Sequence, residues 1–129
     1  MVFEEINRWT EEESPDLILG AGPIIDAPTV ALGVEIVRIF PGSRVEGPKV
    51  VAALKGPMPW TYIMPTGGVE PKEDNLSEWF RAGVVCVGME SKLISSEVIK
   101  NSDYRKLEQD VRNALNIIRK LSLLHPVKE

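Results

Sequence analysis

One charged residue, Arg38, lies within the apolar run VRIF, residues 37–40. A charged side chain is expensive to bury in a strand unless it is paired or has a chemical use. The guanidinium offers paired N–H donors that fit a carboxylate or a phosphate, but it stays protonated and is not a useful nucleophile. Two interpretations of Arg38 therefore stay open. It forms an ion pair with a nearby acid such as Glu35 or Glu46, or it binds an anion.

A glycine-rich loop, PTGG, follows the next apolar run and consists of Pro65, Thr66, Gly67 and Gly68. Glycines let backbone N–H groups approach an anion closely, and such loops form anion-binding nests. The same four residues also suit a simple turn, so the loop alone leaves both interpretations open.

The other residues that often do chemistry stand alone in the sequence. Cys86 is the only cysteine and lies in the apolar run GVVCVGM, which predicts a buried strand residue and excludes an intrachain disulfide. His125 is the only histidine and is predicted to be a surface residue of the tail LLHPVKE. Because no Cys, His or acid cluster has metal-ligand spacing, we expect neither a metal site nor a cofactor.

Apolar runs alternate with amphipathic segments and supply the elements that would position these residues. Four nearly continuous apolar runs predict buried strands, at 16–22, 34–40, 60–64 and 84–89. Helical spacing and capping residues predict helices at 2–9, 26–32, 47–56, 73–83 and 103–124. The apolar stripe of the last helix is predicted to contain Tyr104, Leu107, Val111, Leu115, Ile118 and Leu121. This alternation is typical of an α/β protein with a four-stranded parallel sheet and flanking helices.

Length and composition are those of a single globular domain over residues 1–129. The chain is 43% hydrophobic, and its 15 Lys and Arg against 19 Asp and Glu give a net charge of −4. This balance disfavours a nucleic-acid-binding protein, which would usually carry a basic patch. No apolar run approaches the ~20 residues of a membrane span, and the acidic N-terminal segment is unlike a secretory signal. We expect a soluble intracellular protein of the cytoplasm or an organelle stroma.

One connection is unusually short. About eleven residues join the predicted strand that ends at Gly22 to the one that begins at Val34. A parallel crossover needs roughly a dozen residues or more, normally with a full helix among them. This connection is therefore either a tight crossover or the result of a deletion.

Taken together, these segments resemble the 2-keto-3-deoxy-6-phosphogluconate (KDPG) / 4-hydroxy-2-oxoglutarate aldolase family. The resemblance covers nearly the whole chain and is carried by LGAGPIIDAPTV, EIVRIFPGS, YIMPTGGVEP and NLSEWFRAGVVCVGMESKLI. It implies a relationship to (β/α)8 barrels, often trimeric, that cleave an aldol bond through a Schiff base between a lysine and pyruvate.

The resemblance places Arg38 where the family carries its Schiff-base lysine, two residues before the FP motif. The family pattern GAGT is GAGP here, so Pro23 removes a hydroxyl and a backbone N–H that could face a carboxylate. The loop PTGG, residues 65–68, matches the family's phosphate loop. The resemblance thus implies a preserved phosphate loop beside a replaced nucleophile.

The second half of the family's phosphate site, GMGS, is GMES here, and contains Gly88, Glu90 and Ser91. Glu90 replaces a glycine, so its carboxylate either repels and obstructs a phosphate or turns to solvent. Ser91 and Lys92 remain and could partly compensate. The resemblance therefore predicts a remnant phosphate or carboxylate site.

The resemblance also implies a partial barrel, a single domain that resembles strands three, six, seven and eight. The first two family strands, with the catalytic glutamate and a carboxylate-binding arginine, would precede Met1. Four strands cannot close a barrel of eight, so the sheet would have exposed edges. Two arrangements stay open: an open flavodoxin-like sheet, or a half-barrel that pairs in a dimer.

These features predict a catalytically inactive relative that binds an anion or assembles with itself or another protein. Phosphate or a 2-keto acid anion is the expected ligand. The alternative is a residual aldehyde-lyase acting on a phosphorylated 2-keto acid. Four lysines are candidate surrogate nucleophiles: Lys49, Lys55, Lys72 and Lys92.

Overall fold

A computed structural model describes residues 20–21, 36–42 and 47–126 of the chain. The strands are β1 (Gly20–Ala21), β2 (Ile36–Ile39) and β3 (Tyr62–Pro65). The helices are α1 (Pro48–Lys55), α2 (Glu73–Ala82), α3 (Ser96–Lys100) and α4 (Tyr104–Leu124). The helices predicted over 2–9 and 26–32, and most of the strand predicted over 16–22, lie outside the described residues.

The three strands form a parallel sheet in the order β1-β2-β3. Ile36 pairs with Gly20 on one side and with Tyr62 on the other, which makes β2 the central strand. Side chains of β2 alternate between half-buried and buried positions, so Val37 and Ile39 face the core. The predicted α/β architecture, a parallel sheet with flanking helices, is confirmed.

The strand predicted over residues 84–89 is wrong for the described structure. The segment does run parallel to β3, since Val85 N–H donates to Ile63 O at 3.1 Å and Gly88 N–H donates to Pro65 O at 2.9 Å. A parallel ladder advances two residues on both strands between such bonds, whereas this segment advances three. The extra residue interrupts the ladder as a bulge does. A single bridge, Thr66 to Gly88, therefore remains instead of a fourth strand.

The end of α2 and the start of α4 lie at residues that the sequence predicts. α2 ends at Gly83, whose φ of 104° is the left-handed conformation that glycine tolerates best. α4 begins after Asp103, whose carboxylate accepts a hydrogen bond from Lys106 N–H at 3.2 Å. The short helix α3 was not predicted, although Ser95 caps it in the same way by accepting from Val98 N–H.

The stripe predicted for α4 is confirmed at four of its six residues, which are buried or half-buried, and is wrong at two. Leu121 is buried as predicted, but Tyr104 is 66% exposed and Leu115 is 45% exposed. Ala114 is buried in place of Leu115. α4 packs on both α2 and α3.

The core lies between the sheet and the helices α1, α2 and α4. Its most completely buried members include Ile63 of β3, Val51 of α1 and Leu76 of α2. Trp79 and Phe80 of α2 are also buried there, as their predicted apolar face requires. Within the described residues, no helix is long and apolar enough to cross a membrane.

Candidate functional site

Arg38, Thr66 and Glu90 meet at one edge of the sheet. Arg38 lies near the carboxyl end of β2, Thr66 follows β3 directly, and Glu90 follows the segment that runs beside β3. Because these neighbours are parallel, their carboxyl ends lie on the same side of the molecule. This edge is where α/β sheets and barrels carry their ligand sites.

The Arg38 guanidinium makes three defined contacts. Its Nε donates a hydrogen bond to Thr66 Oγ1 at 3.0 Å. Its central carbon lies 5.6 Å from the centre of the Phe40 ring, within the range of a cation–π contact. The third contact is an ion pair with Glu90, in which Arg38 Nη2 lies 3.6 Å from Oε1. The arginine is thus held in one orientation although its side chain is 37% exposed.

Among the described residues, the acid that faces Arg38 is Glu90. Glu35 and Glu46, the acids proposed from sequence, lie outside the described residues. The sequence leaves Glu90 either turned to solvent or obstructing the phosphate site, and its side chain is 69% exposed while it faces the guanidinium. This pairing cannot be read from the sequence. Residue 90 lies near residue 38 only because β2 and the segment before residue 90 both run parallel to β3.

Thr66 links the carboxyl ends of β2 and β3 through hydrogen bonds. Its backbone N–H donates to Ile39 O at 2.9 Å, and its carbonyl accepts from Gly42 N–H at 2.8 Å. Its hydroxyl accepts from Arg38 and donates to Ile39 O at 3.4 Å. Thr66 is only 4% exposed, so these bonds satisfy a polar group that would otherwise be costly to bury.

The glycine loop has a left-handed backbone that glycine tolerates best. Gly67 and Gly68 have φ angles of 78° and 77°, the left-handed region. Among the described residues, no acceptor takes a hydrogen bond from either backbone N–H. Asn75 of α2 fixes the loop, since its Nδ2 donates to Gly68 O at 3.1 Å and its Oδ1 accepts from Glu70 N–H at 2.8 Å. The loop can therefore offer two successive N–H donors to an anion.

Glycine is required where these loops touch. A Cβ on Gly88 would overlap the Thr66 methyl group, and one on Gly42 would lie 2.7 Å from Gly67 O. The loops after β2 and β3 are thus in backbone contact. Gly88, predicted as a ligand residue, has at least this packing role.

Lys92 does not face the candidate site as a free cation. Its Nζ lies 3.6 Å from Glu70 Oε1, and Lys72 Nζ lies 2.8 Å from Glu70 Oε2. The hydrogen bond and the charge of Lys72, followed by the charge of Lys92, lower the pKa of the Glu70 carboxyl. Ser91 is exposed beside Glu90 and makes no hydrogen bond with another described residue.

The remaining predicted residues form no hydrogen bond or ion pair with Arg38, Thr66 or Glu90 in the described structure. Lys49 is exposed in the first turn of α1, as predicted. Cys86 is half-buried, and burial raises the pKa of its thiol. His125 is half-buried at the end of α4 and not a fully exposed surface residue. Across the ranges that the structure describes, no cluster of His, Cys, Asp and Glu could hold a metal.

The described chain is an α/β protein whose parallel sheet carries a glycine loop and an arginine at its carboxyl edge, the edge at which ligand sites of such folds lie. The family model described as KDPG and KHG aldolase matches residues 28–110. The chain therefore belongs to the KDPG and KHG aldolase family.

Individual relatives agree with this assignment. A 2-dehydro-3-deoxy-phosphogluconate aldolase of Haemophilus influenzae is 29% identical over 90 residues, which are 68% of this chain and 41% of that protein. The crystal structure of a 4-hydroxy-2-oxoglutarate/2-dehydro-3-deoxyphosphogluconate aldolase from TTHB1 is similar in fold. Its TM-score is 0.57 at 24% identity, over 77% of this chain and 46% of that one.

A third similar structure is a cube-shaped, highly porous cage designed by fusing symmetric oligomeric domains. Its TM-score is 0.50 at 25% identity, over 81% of this chain and 42% of that one. The chain thus spans less than half the length of each of these relatives.

Proposed function

We propose that this protein is a non-catalytic member of the aldolase family that binds a small anion, a phosphate or a 2-keto acid, at the edge formed by Arg38 and residues 65–68. The observation that carries the proposal is the guanidinium of Arg38, which is hydrogen-bonded to Thr66 directly before the two glycines of the loop. Both groups donate N–H bonds, and neither is a nucleophile.

Arg38 occupies the place that the family resemblance gives to the Schiff-base lysine. A Schiff base forms when a neutral amine attacks a carbonyl carbon and water is lost. A guanidinium stays protonated at any physiological pH and has no such lone pair to offer. Its Nε also donates a hydrogen bond to Thr66. This bond fixes the orientation of the guanidinium and suits it to bind an anion.

Glu90 sets the strength of this binding. Its carboxylate already faces Arg38 at 3.6 Å, so an incoming anion must displace it or share the guanidinium. The pair is largely exposed and is therefore weak, because water screens both charges. We expect an anion to compete successfully, but at lower affinity than a site without Glu90 would give.

The four candidate surrogate lysines favour the non-catalytic reading over a residual aldehyde-lyase. Lys72 and Lys92 are both engaged with Glu70. Lys49 is exposed on α1. Lys55 ends α1, at the connection that leads to the amino end of β3, on the side away from Arg38.

Assembly with a second copy is a further part of the proposal. Residues 84–88 bond to β3 on one side, and no other described strand pairs with their outer side. Such an edge can be covered by another chain, as in a half-barrel that pairs in a dimer. Light scattering tests this point, and a strict monomer at all concentrations would eliminate it.

The decisive experiment is reductive trapping. The protein is incubated with pyruvate and borohydride, and its intact mass is measured beside a KDPG aldolase treated in the same way. We expect an adduct on the active aldolase and none on this protein. An adduct on this protein would instead establish a residual lyase, and peptide mapping would identify the lysine.

Anion binding has its own test. Phosphate and pyruvate are titrated separately into labelled protein while the amide signals of Gly67 and Gly68 are followed by NMR. Saturable shifts that Arg38→Gln weakens would support the proposal. Shifts that are unchanged in Arg38→Gln would contradict the role of the arginine.

A further inference from the structure

A cavity lies at the end of the sheet opposite to Arg38, near the amino end of β3. Its volume is about 580 Å³, which is ample for a small organic molecule. It is lined by the end of α1, the connection to β3, the end of α2 and the residues around the end of α4. None of the residues of the Arg38 site lines it.

Lys55 provides a fixed cation in this cavity. Its Nζ donates to Pro59 O at 3.0 Å and to Thr61 O at 2.9 Å. The hydrocarbon part of the side chain passes Gly83, where an added Cβ would lie 3.4 Å from Lys55 Cε. An ammonium group has three N–H donors, so one stays available to a ligand after both carbonyls are satisfied.

Apolar side chains form the walls of the cavity. Phe80 and Val84 are buried and supply its inner surface. Trp60 is 70% exposed and Leu124 is 63% exposed at its mouth. Large apolar groups exposed beside a concave surface are typical of a ligand site, because a bound apolar body would remove them from water.

The charged residues that line the cavity have one sign. They are Lys55 and Arg81, and none of the described lining residues is an acid. This distribution contrasts with the whole chain, in which 19 acidic residues outnumber 15 Lys and Arg. The cavity therefore complements a ligand with a flat apolar body and a negative group.

We propose that this cavity binds an aromatic monocarboxylate, with the ring between Trp60 and Val84 and the carboxylate on Lys55. The ring gains contact with apolar walls that are now partly in water. The carboxylate receives the remaining N–H of Lys55 as a charge-assisted hydrogen bond. Burial lowers the pKa of the Lys55 ammonium, and a bound carboxylate would oppose that shift.

The probe is 2-naphthoate, compared with 2-naphthamide, its uncharged analogue of nearly equal shape. Both are titrated into the full-length labelled chain at pH 7 and low salt, and amide shifts are followed by NMR. We expect saturable shifts at Lys55, Gly83 and Val84, with about tenfold weaker binding of the amide. Equal affinity for the two probes, or the absence of saturable shifts, would overturn the proposal.

Two variants assign the contacts, and a third serves as control. Lys55→Met should weaken naphthoate about tenfold and leave naphthamide unchanged. Trp60→Ala should weaken both probes, and since Trp60 is mostly exposed this variant stays informative if Lys55→Met fails to fold. Lys49→Met removes an exposed lysine from the same helix outside the cavity and should change neither affinity. Unchanged naphthoate affinity in Trp60→Ala would place the probe elsewhere and contradict the proposal.

Discussion

Arg38 and Glu90 form an ion pair, 3.6 Å between Nη2 and Oε1, across the carboxyl edge of the sheet. The family resemblance predicts that Arg38 stands at the position of a lysine and Glu90 at that of a phosphate-loop glycine. These two positions lie in contact and carry opposite charges. Under the proposed function, a cation that cannot form a Schiff base is paired with an anion that would compete with a bound phosphate.

The first prediction concerns Glu90. Glu90→Gln removes the competing charge but keeps the size of the side chain, so phosphate and pyruvate should bind about two- to fivefold more tightly, as expected for a weak exposed pair. The free energy of unfolding should change by less than about 0.5 kcal/mol. Isothermal titration and urea denaturation measure the two effects.

A matched control for Glu90 exists on α4. Glu108 is an exposed acid that pairs with Arg112, at 2.7 Å, far along the chain from the site. Glu108→Gln changes net charge by the same amount and should leave anion affinity unaltered. If both variants strengthened binding equally, the effect would be one of net charge, and Glu90 would have no local role.

The second prediction compares two buried threonines. Thr66 Oγ1 is bonded to Arg38 and Ile39 O, whereas Thr61 Oγ1, equally buried, has no hydrogen-bond partner among the described residues. Thr66→Val should cost about 1–3 kcal/mol of unfolding free energy, because it leaves the Arg38 Nε without its acceptor. Thr61→Val should be neutral or stabilising by about 1 kcal/mol, since it removes an unsatisfied group. Urea denaturation of both variants would refute the hydrogen-bond argument if their order were reversed.

The third prediction concerns the close contact between Gly88 and Thr66. Gly88→Ala should destabilise by about 1–3 kcal/mol, because its Cβ would overlap the Thr66 methyl and force the loops apart. Gly56→Ala is the control, since its φ is −58° and the nearest atom to an added Cβ is 3.4 Å away. It should be neutral or stabilising by about 0.4–1 kcal/mol. Thermal unfolding that shows equal losses would remove the steric explanation.

The sequence predicts the elements best where periodicity and end signals coincide. Helix α2 follows from its apolar face, which contains Leu76 and Trp79, and from Gly83 at its end. The strand β2 follows from its apolar run, although Arg38 interrupts that run. These signals depend only on residues that are close in the chain, so a single sequence is enough to detect them.

Non-local pairing is where sequence reasoning failed. The run GVVCVGM carries no sign of the extra residue between Val85 and Gly88 that prevents a fourth strand. That residue is extra only relative to the hydrogen-bonding register with β3. The partner of Arg38 is likewise set by the order of the strands and not by proximity in the chain. Lys55 and Trp60, which line the cavity near the amino end of β3, belong to no sequence motif. The cavity forms only because the end of α1 lies near the end of α4.

The fourth prediction concerns the single cysteine. The thiolate is the reactive form of cysteine, and burial raises the pKa of the Cys86 thiol, so less thiolate is present at neutral pH. Iodoacetamide should therefore modify the folded protein at pH 7.5 at least about threefold more slowly than the urea-unfolded protein, a conservative bound for a half-buried thiol. Intact-mass measurement gives the rates, and Cys86→Ser shows whether any other residue reacts.

The pH profile separates a raised pKa from simple shielding of the thiol. Because the folded-state pKa lies above the unfolded one, the neutral thiol favours the native state below the unfolded pKa, and this contribution is lost as pH rises through the folded value. The alkylation midpoint of the folded protein should thus lie at higher pH than that of the unfolded protein, and stability should fall on the alkaline side. Cys86→Ser should lack that alkaline component. If the two alkylation midpoints were equal and only the plateau rate of the folded protein were lower, limited access of iodoacetamide to Cys86 would explain the slow reaction without a raised pKa.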